Sequence, residues 1–478
     1  MSYKTGVDRK QQLLFPATVD EYVGAEHICR LIHAFTEQLD LISLGYKYAE
    51  LKNTGCRPYD PRMMLNLYLY GYLHRVRSSR RLRDETNRNV EVMWLMEGLR
   101  PDDKTICNFR KDNAKALKET FRVFSMMCGE TGLYGKKLTA TDSVKIRANN
   151  SLDNNHNQTT VKNALGRLEK KITEYMKALE EGDKEASEST PCAAEIKEAL
   201  ERLRERKANY EGLQTRLESE SEVSTVDADA RLMRPGGDGR HLSVCYSVHT
   251  VVDSENYLIV DFEVSNRAND AGHLKPVLDK AKEIMEVQTL TNLADAGYYY
   301  SEDIVACERS GVTCLVAKPP EGGARKAEGF RRGDFVYNSE KDLYVCPRGR
   351  ELEFKGVKKH VSGREYRTYR TPKACGSCEK KPLCTTRKYR EVERLTCQDI
   401  LDKVDQRTRS GKALYRKRQE IVEHCFGTIK AVWGYRQFLC RGKAKVTAEM
   451  ALAYTAYNLR RVFNILTRSG SRLSLALG

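Results

Sequence analysis

Apolar residues recur every three or four positions from Val19 to Leu44 and again from Met63 to Leu73, the spacing that gives a helix one buried face. Tyr59-Asp60-Pro61 supplies a start for the second run: a side-chain acceptor precedes a proline whose missing N–H costs nothing in a first turn. Pro101 to Lys111 opens in the same capped way and continues into a basic helix. Residues 1–132 therefore read as a helical N-terminal domain. From Lys137 the period changes to two, and the resulting strand carries Asp142 near its middle, projecting to one side of a sheet. Between Val161 and Glu220 the helical period returns as two seams. Leu165, Leu168, Ile172, Tyr175 and Leu179 form one, and Ile196, Leu200, Leu203, Tyr210, Leu213 and Leu217 form the other. The polar break from Gly182 to Pro191 makes this 161–222 insertion an antiparallel helical hairpin, and its near balance of acids and bases favours a structural or assembly role.

After the hairpin come strands at Ser243–Val252 and Tyr257–Val264, a helix at Leu274–Met285, a strand at Leu290–Leu293, a helix at Ser301–Ser310 and a strand at Thr313–Ala317. Strands followed by alternating helix and strand predict an α/β fold with a mixed sheet, begun by 133–160 and continued by 223–320. Asp295 stands just past the Leu290 strand in Leu293-Ala-Asp-Ala-Gly-Tyr298, at the lip of the sheet where ligands bind such folds. Asp142 and Asp295 are thereby placed to converge on one metal pair. Asp227, Asp229, Asp253, Asp261 and Asp270 compete for that role within the same segment.

The chain has 478 residues, enough for two or three domains, and 82 Lys and Arg against 66 Asp and Glu give a net charge of +16. An acidic macromolecule is the expected partner, and nucleic acid fits better than membrane. No apolar run approaches the roughly 20 residues that span a bilayer, and the N-terminus lacks the apolar core of a signal peptide, so a cytoplasmic location is expected. Arg75, Arg77, Arg80, Arg81 and Arg83 put five guanidiniums in nine residues with Ser78 and Ser79 between them, a phosphate-binding pattern that Arg110 extends. Residues 401–450 hold twelve Lys and Arg against five Asp and Glu, which suits DNA running past them without separating a nuclease from a repressor. Among those cations lies Glu423, with Lys430 seven residues on and two helical turns along the same face. An acid among bases is what a metal-dependent nuclease needs, because the metal must be held where phosphate is drawn. His424 reads as a helix-surface residue.

Fifteen cysteines in a cytosolic chain argue against disulfides. Cys346-Pro-Arg-Gly349, Cys375-Gly-Ser-Cys378 and Cys384 have the knuckle-like grouping of a structural zinc site, with free thiols as the other reading. They mark 321–400 as a cysteine-bearing insertion behind the basic loop Pro319–Gly333, and 401–478 as closing helices that carry Glu423.

Four motifs together resemble the bacterial DDE transposases of insertion sequences, closest to insertion sequence family 1182. They are Tyr59-Asp-Pro61 with Tyr70-Gly-Tyr72 and Ser78-Ser-Arg80, Thr141-Asp-Ser143 with Lys145, Arg147, Ala148 and Asn149, Ala294-Asp-Ala-Gly-Tyr298, and Val422-Glu423 with Phe426-Gly-Thr-Ile-Lys430. The resemblance runs from about residue 15 to about 466. It implies an RNase H-like core in which Asp142, Asp295 and Glu423 hold two divalent ions, Mg²⁺ or Mn²⁺. It further implies cleavage at the element's terminal repeats, joining of 3′-ends to target DNA, and a dimer or larger assembly on DNA, with no membrane and no small-molecule substrate. Lys430, Lys145, Arg416 and Arg418 would hold phosphate. The sequence departs from the family in placing Arg418 five rather than four residues before Glu423, and in having Cys425 and Ser143 where relatives have proline and glycine. A silent DNA-binding derivative predicts loss of an acid, and none of the three is lost. A nuclease that cuts without joining differs only in its products.

Overall fold

Asp60 accepts the Arg62 backbone N–H at 2.7 Å with Pro61 at the first helical position, so the helix predicted from Tyr59-Asp-Pro61 begins where its cap dictates. The computed structural model describes residues 18–51, 57–182, 193–235, 241–319, 329–361 and 363–469. They fall into two units. One comprises residues up to Asp270, Asp279–Val287 and those from Gln419 onward, and the other comprises Ala271–Leu278 and Gln288–Arg418.

The first unit opens with helices α1 (Ile28–Glu37), α2 (Pro61–Leu73), α3 (Ser79–Arg88), α4 (Val90–Leu95), α5 (Asp103–Asp112) and α6 (Ala114–Glu130). The capped start at Pro101 is present, with Asp102 accepting the Thr105 N–H at 2.6 Å. α2 is buried on nearly every side, which an amphipathic pattern does not anticipate. Its Gly71 lies against the turn that follows: a Cβ there would come within 2.4 Å of Leu82 Cδ2 and 2.5 Å of the Val76 carbonyl oxygen. The glycine of Tyr70-Gly-Tyr72 is thus a packing requirement. The long C-terminal helix α15 (Lys443–Ser469) packs on α1, α2 and α6, so the end of the chain supplies core to its beginning.

Strand β1 (Leu138–Arg147) runs antiparallel to β5 (Ser243–Asp253), from Thr139 opposite Asp253 to Arg147 opposite Cys245. β5 also pairs antiparallel with β4 (Arg231–Met233) and β6 (Ile259–Ser265). A central position accounts for the nearly continuous burial of β5. Between β1 and β4 stands the helical hairpin, α7 (Gln158–Gly182) and α8 (Ala193–Arg216). The short strands β2 (Asn155–His156) and β3 (Val223–Ser224) pair at its base, beside a core of Val161, Leu217 and Val223. Along the seam the burial fades, and Tyr175 is exposed. The break at Gly182–Pro191 lies almost entirely outside the described residues.

After α9 (Leu274–Met285), the second unit carries β7 (Leu290–Ala294) parallel to β8 (Val312–Val316), connected through α10 (Ser301–Arg309). α13 (Gln398–Ser410) packs on β8 and α10, where Arg407 binds both carboxylate oxygens of Glu308 at 2.6 and 3.2 Å. The cysteine-bearing insertion is a five-stranded antiparallel meander, for which the sequence pattern predicts no strands. Its members are β9 (Val336–Asn338), β10 (Leu343–Val345), β11 (Glu351–Lys359), β12 (Glu365–Arg370) and β13 (Glu391–Leu395). One buried side chain from most strands, together with Phe335, makes its core: Tyr344, Leu352, Tyr369 and Val392. So sparse an apolar pattern gives little alternation to read. The Pro319–Gly333 loop lies mainly outside the described residues.

Candidate active site

Asp142 occupies the centre of β1 and accepts the Ser143 backbone N–H on Oδ1 at 2.7 Å. It stands opposite Thr250, whose hydroxyl lies 2.8 Å from the Tyr454 hydroxyl of α15, so Asp142 occupies the face of the sheet that α15 covers. Lys145 and Arg147 occupy the opposite face, across from Ser247 and Cys245. Burial pushes the Cys245 thiol up to about 11, against the pull of Arg147, Lys145 and Lys430, which places these three cations around the end of β1.

That end of β1 is stapled to the segment after Lys430. Arg147 donates its N–H to the Arg436 carbonyl at 3.2 Å and accepts from Phe438 at 2.9 Å. Asn149 Nδ2 donates to the Leu439 carbonyl at 2.9 Å. The staple leads back to α14 (Lys412–Phe426), the helix of Glu423. On α14, Val422 and Cys425 are buried and Glu423 is exposed. Burial raises the Cys425 thiol, and the charge of Asp142 adds to it, so Asp142 lies within electrostatic reach of the turn that holds Glu423.

From Gly427 to Val432 the helix widens to a π-helix, with the Trp433 N–H bonding back five residues to Thr428 at 2.8 Å. A seven-residue spacing aligns two side chains only on a uniform α-helix. The alignment of Lys430 with Glu423 predicted from that spacing is therefore not kept. Such wide turns are frequent at functional sites.

Asp295, in the second unit, caps a short helical turn at Ala296–Tyr298, its Oδ1 accepting the Ala296 N–H at 2.7 Å. Two residues of α14 attach to this turn. Tyr415 donates its hydroxyl to the Ala294 carbonyl at 3.1 Å, and Arg418 approaches Asp295 Oδ1 at 3.9 Å. Arg418 is mostly buried, and Arg416 is exposed. Asp142 and Glu423 thus belong to one unit and Asp295 to the other. α14 contributes residues to both, the division falling after Arg418.

Four of the five competing acids, Asp227, Asp229, Asp253 and Asp261, are used structurally. Asp227 accepts from the Tyr246 hydroxyl at 2.7 Å and the Gly442 N–H at 3.1 Å. Asp229 accepts the Lys443 N–H at the start of α15. Asp253 takes three backbone N–H groups, from Gly135, Glu255 and Asn256, and burial still raises its pKa. Asp261 pairs with Lys118 at 2.8 Å and Asp270 with His249 at 3.8 Å. Glu420, next to the site, accepts from the Tyr257 hydroxyl at 2.9 Å. His424 stacks on Tyr257 and lies 2.9 Å from the Tyr457 hydroxyl.

The arginine cluster divides. Arg75, Arg80 and Arg81 are exposed. Arg83 pairs with Asp84 and Asp103 at 3.0 and 2.9 Å. Arg77 is drawn inward over the Tyr435 ring, donates to the Gln437 carbonyl at 2.9 Å and faces the fully buried Glu449 at 3.7 Å. Arg110 is only 6 % exposed and bonds the Tyr72 hydroxyl at 3.1 Å, a core cation rather than the surface phosphate ligand expected of it. Glu449, which no motif singles out, accepts the backbone N–H groups of Leu439 and Cys440. A second acid-bearing group, His27, Cys29 and Glu91, has donor atoms within 4.8 Å of one another. There His27 Nδ1 accepts the Cys29 N–H, His27 Nε2 faces Glu91, and Glu91 accepts from Tyr70, a closed network tying α1 to α4.

Among the described residues no helix is long and apolar enough to cross a membrane. Residues 17–112 match the family described as a transposase domain (DUF772), which covers the helical region with its arginine cluster. Residues 345–463 match the family described as a transposase DDE domain, from just before the first knuckle cysteine through Glu423 into α15. No curated protein and no solved structure matches the chain. Transposase family models thus match the chain near both ends, the second across the acid-bearing helix, and together they support an insertion-sequence DDE transposase.

Proposed function

We propose that the protein cuts DNA at the terminal repeats of its own mobile element and joins the 3′-ends to target DNA, using an RNase H-like core in which Asp142, Asp295 and Glu423 form the metal-binding triad. The observation that carries this reading is that Glu423 lies exposed among cations on α14, inside the residues that match a transposase DDE domain. The donor set fits, because three carboxylates supply the hard oxygen ligands that Mg²⁺ or Mn²⁺ require. Divalent ions bound there would act as Lewis acids and lower the pKa of an attacking water or 3′-hydroxyl.

The chain's own residues do the rest. Backbone N–H groups of Ser143 and Ala296 orient the two aspartates, and Arg418 positions Asp295. Lys145 and Lys430, near the stapled end of β1, hold phosphate, as does the exposed Arg416. The exposed arginines Arg75, Arg80 and Arg81 meet DNA flanking the cut. Two DNA ends call for a dimer or larger assembly working on DNA in the cytoplasm. Incubation of the full chain with DNA carrying the element's ends and Mg²⁺ or Mn²⁺ tests the reading. Nicked and joined products are expected, and end binding without any metal-dependent cut would overturn it.

A further inference from the structure

Four cysteines of the second unit meet around one cavity of about 30 Å³, walled on its apolar side by Phe330, Phe335 and Leu352. They come from three places in the chain. Cys346 follows β10, Cys375 and Cys378 bracket the end of a short helix, α11 (Pro372–Gly376), and Cys384 ends another, α12 (Lys381–Cys384). The volume suits a single ion or water, for which roughly 10–15 Å³ suffices.

Three features go beyond proximity. Cys346 sits in a tight turn: its N–H bonds the Arg350 carbonyl at 2.9 Å, Gly349 takes a left-handed φ of +70°, and the Arg350 N–H points back to Cys346 Sγ at 3.3 Å. Next, the Phe330 N–H donates to the Leu383 carbonyl at 3.0 Å, which ties the turn carrying Cys384 to the cavity wall. Finally, Arg390 lines the same cavity with its guanidinium 5.0 Å from the Phe335 ring. Its Nη1 donates to the Cys384 carbonyl at 3.1 Å, while its buried Nε has no acceptor among the described residues.

We propose that Cys346, Cys375, Cys378 and Cys384 bind one structural Zn²⁺ and that Arg390 compensates the negative charge of the tetrathiolate. Four sulfur donors with no fifth position favour tetrahedral zinc over Mg²⁺ or Mn²⁺, so this centre is chemically separate from the carboxylate triad. The four sulfurs are not gathered as closely as the donor atoms of His27, Cys29 and Glu91, so ion binding would draw them inward. Its role is to clip the two short helices to the five-stranded sheet, whose small core of Phe335, Tyr344, Leu352, Tyr369 and Val392 is sparse for a layer of that size.

The test is metal analysis of the full chain purified without chelator, followed by Co²⁺ exchange and X-ray absorption at the bound metal. About one equivalent of zinc, the visible bands of tetrahedral thiolate cobalt and a four-sulfur environment are expected. Cys378→Ser and Cys384→Ser should lose most of the metal, while Cys397→Ser, outside the cavity, keeps it. Should a variant fail to fold, the wild-type absorption spectrum still decides. Metal-free wild type after zinc supplementation, or an ion bound through nitrogen or oxygen, would overturn the proposal.

Discussion

Two sets of carboxylates in this chain differ in what surrounds them. Asp227, Asp253 and Glu449 are buried, and each accepts at least two hydrogen bonds, mostly from backbone N–H groups. Asp142 and Asp295 are only partly buried, and each orients one oxygen on the N–H of the next residue, while Glu423 is exposed. A buried carboxylate without donors would be untenable, so the first set is bound up in holding loops and helix starts. The second set is the more accessible to solvent of the two. Sequence position does not separate the sets, since Asp227 and Asp253 lie in the same stretch as Asp142 and Asp295.

The largest expected effect tests the second set. Asp142→Asn, Asp295→Asn and Glu423→Gln should each lower metal-dependent cleavage by at least about 10³-fold, the scale of losing a metal or its electrostatic stabilisation. Their melting temperatures should move little, because partly exposed acids change stability by only about 0.5 kcal/mol. A variant that melts much earlier would move its acid into the structural set.

The first set is tested by Glu449. Removing the carboxylate in Glu449→Ala strands the Leu439 and Cys440 N–H groups and leaves Arg77 uncompensated. A loss of about 3–5 kcal/mol is expected, read as an early thermal or urea transition. The segment after the π-helix should loosen first, detected as faster amide exchange at Phe438, whose N–H bonds the Arg147 carbonyl. Unchanged stability would mean the buried pair is dispensable. Gly71→Ala comes next: its methyl would overlap Leu82 and the Val76 carbonyl, and about 1–3 kcal/mol should disappear through overpacking. A neutral result would show that α3 can shift.

How much of this is legible in sequence follows from the same physics. Strands β1, β5, β6, β7 and β8 are readable because each presents a run of apolar or alternating side chains, and Asp60-Pro61 and Asp102 announce their helices through caps. The five-stranded meander is not, because β11 buries Leu352 and little else. Motif and charge single out Asp142, Asp295 and Glu423. Their contrast with Asp227 or Asp253 is invisible, because it depends on N–H groups brought in from Gly442 and Gly135, distant in the chain. The π-helical step at Gly427 is equally hidden, since nothing in Gly-Thr-Ile-Lys distinguishes a wide turn from an α-turn.

The smallest expected effect divides the arginines as the acids are divided. Arg80 and Arg81 face solvent, so Arg80→Ala with Arg81→Ala should weaken DNA binding evenly across sequences. It should also reduce the slope of log affinity against log salt by roughly 0.9 for each phosphate no longer neutralised, leaving the fold intact. Arg110→Ala should do the reverse. With its guanidinium buried between Tyr68 and Tyr72, its removal lowers stability and leaves the salt slope of the folded fraction unchanged. Measuring both quantities for both variants separates cations that meet DNA from cations that hold α2 against α5. Equal salt slopes in wild type and the double variant would remove the N-terminal arginines from the DNA surface.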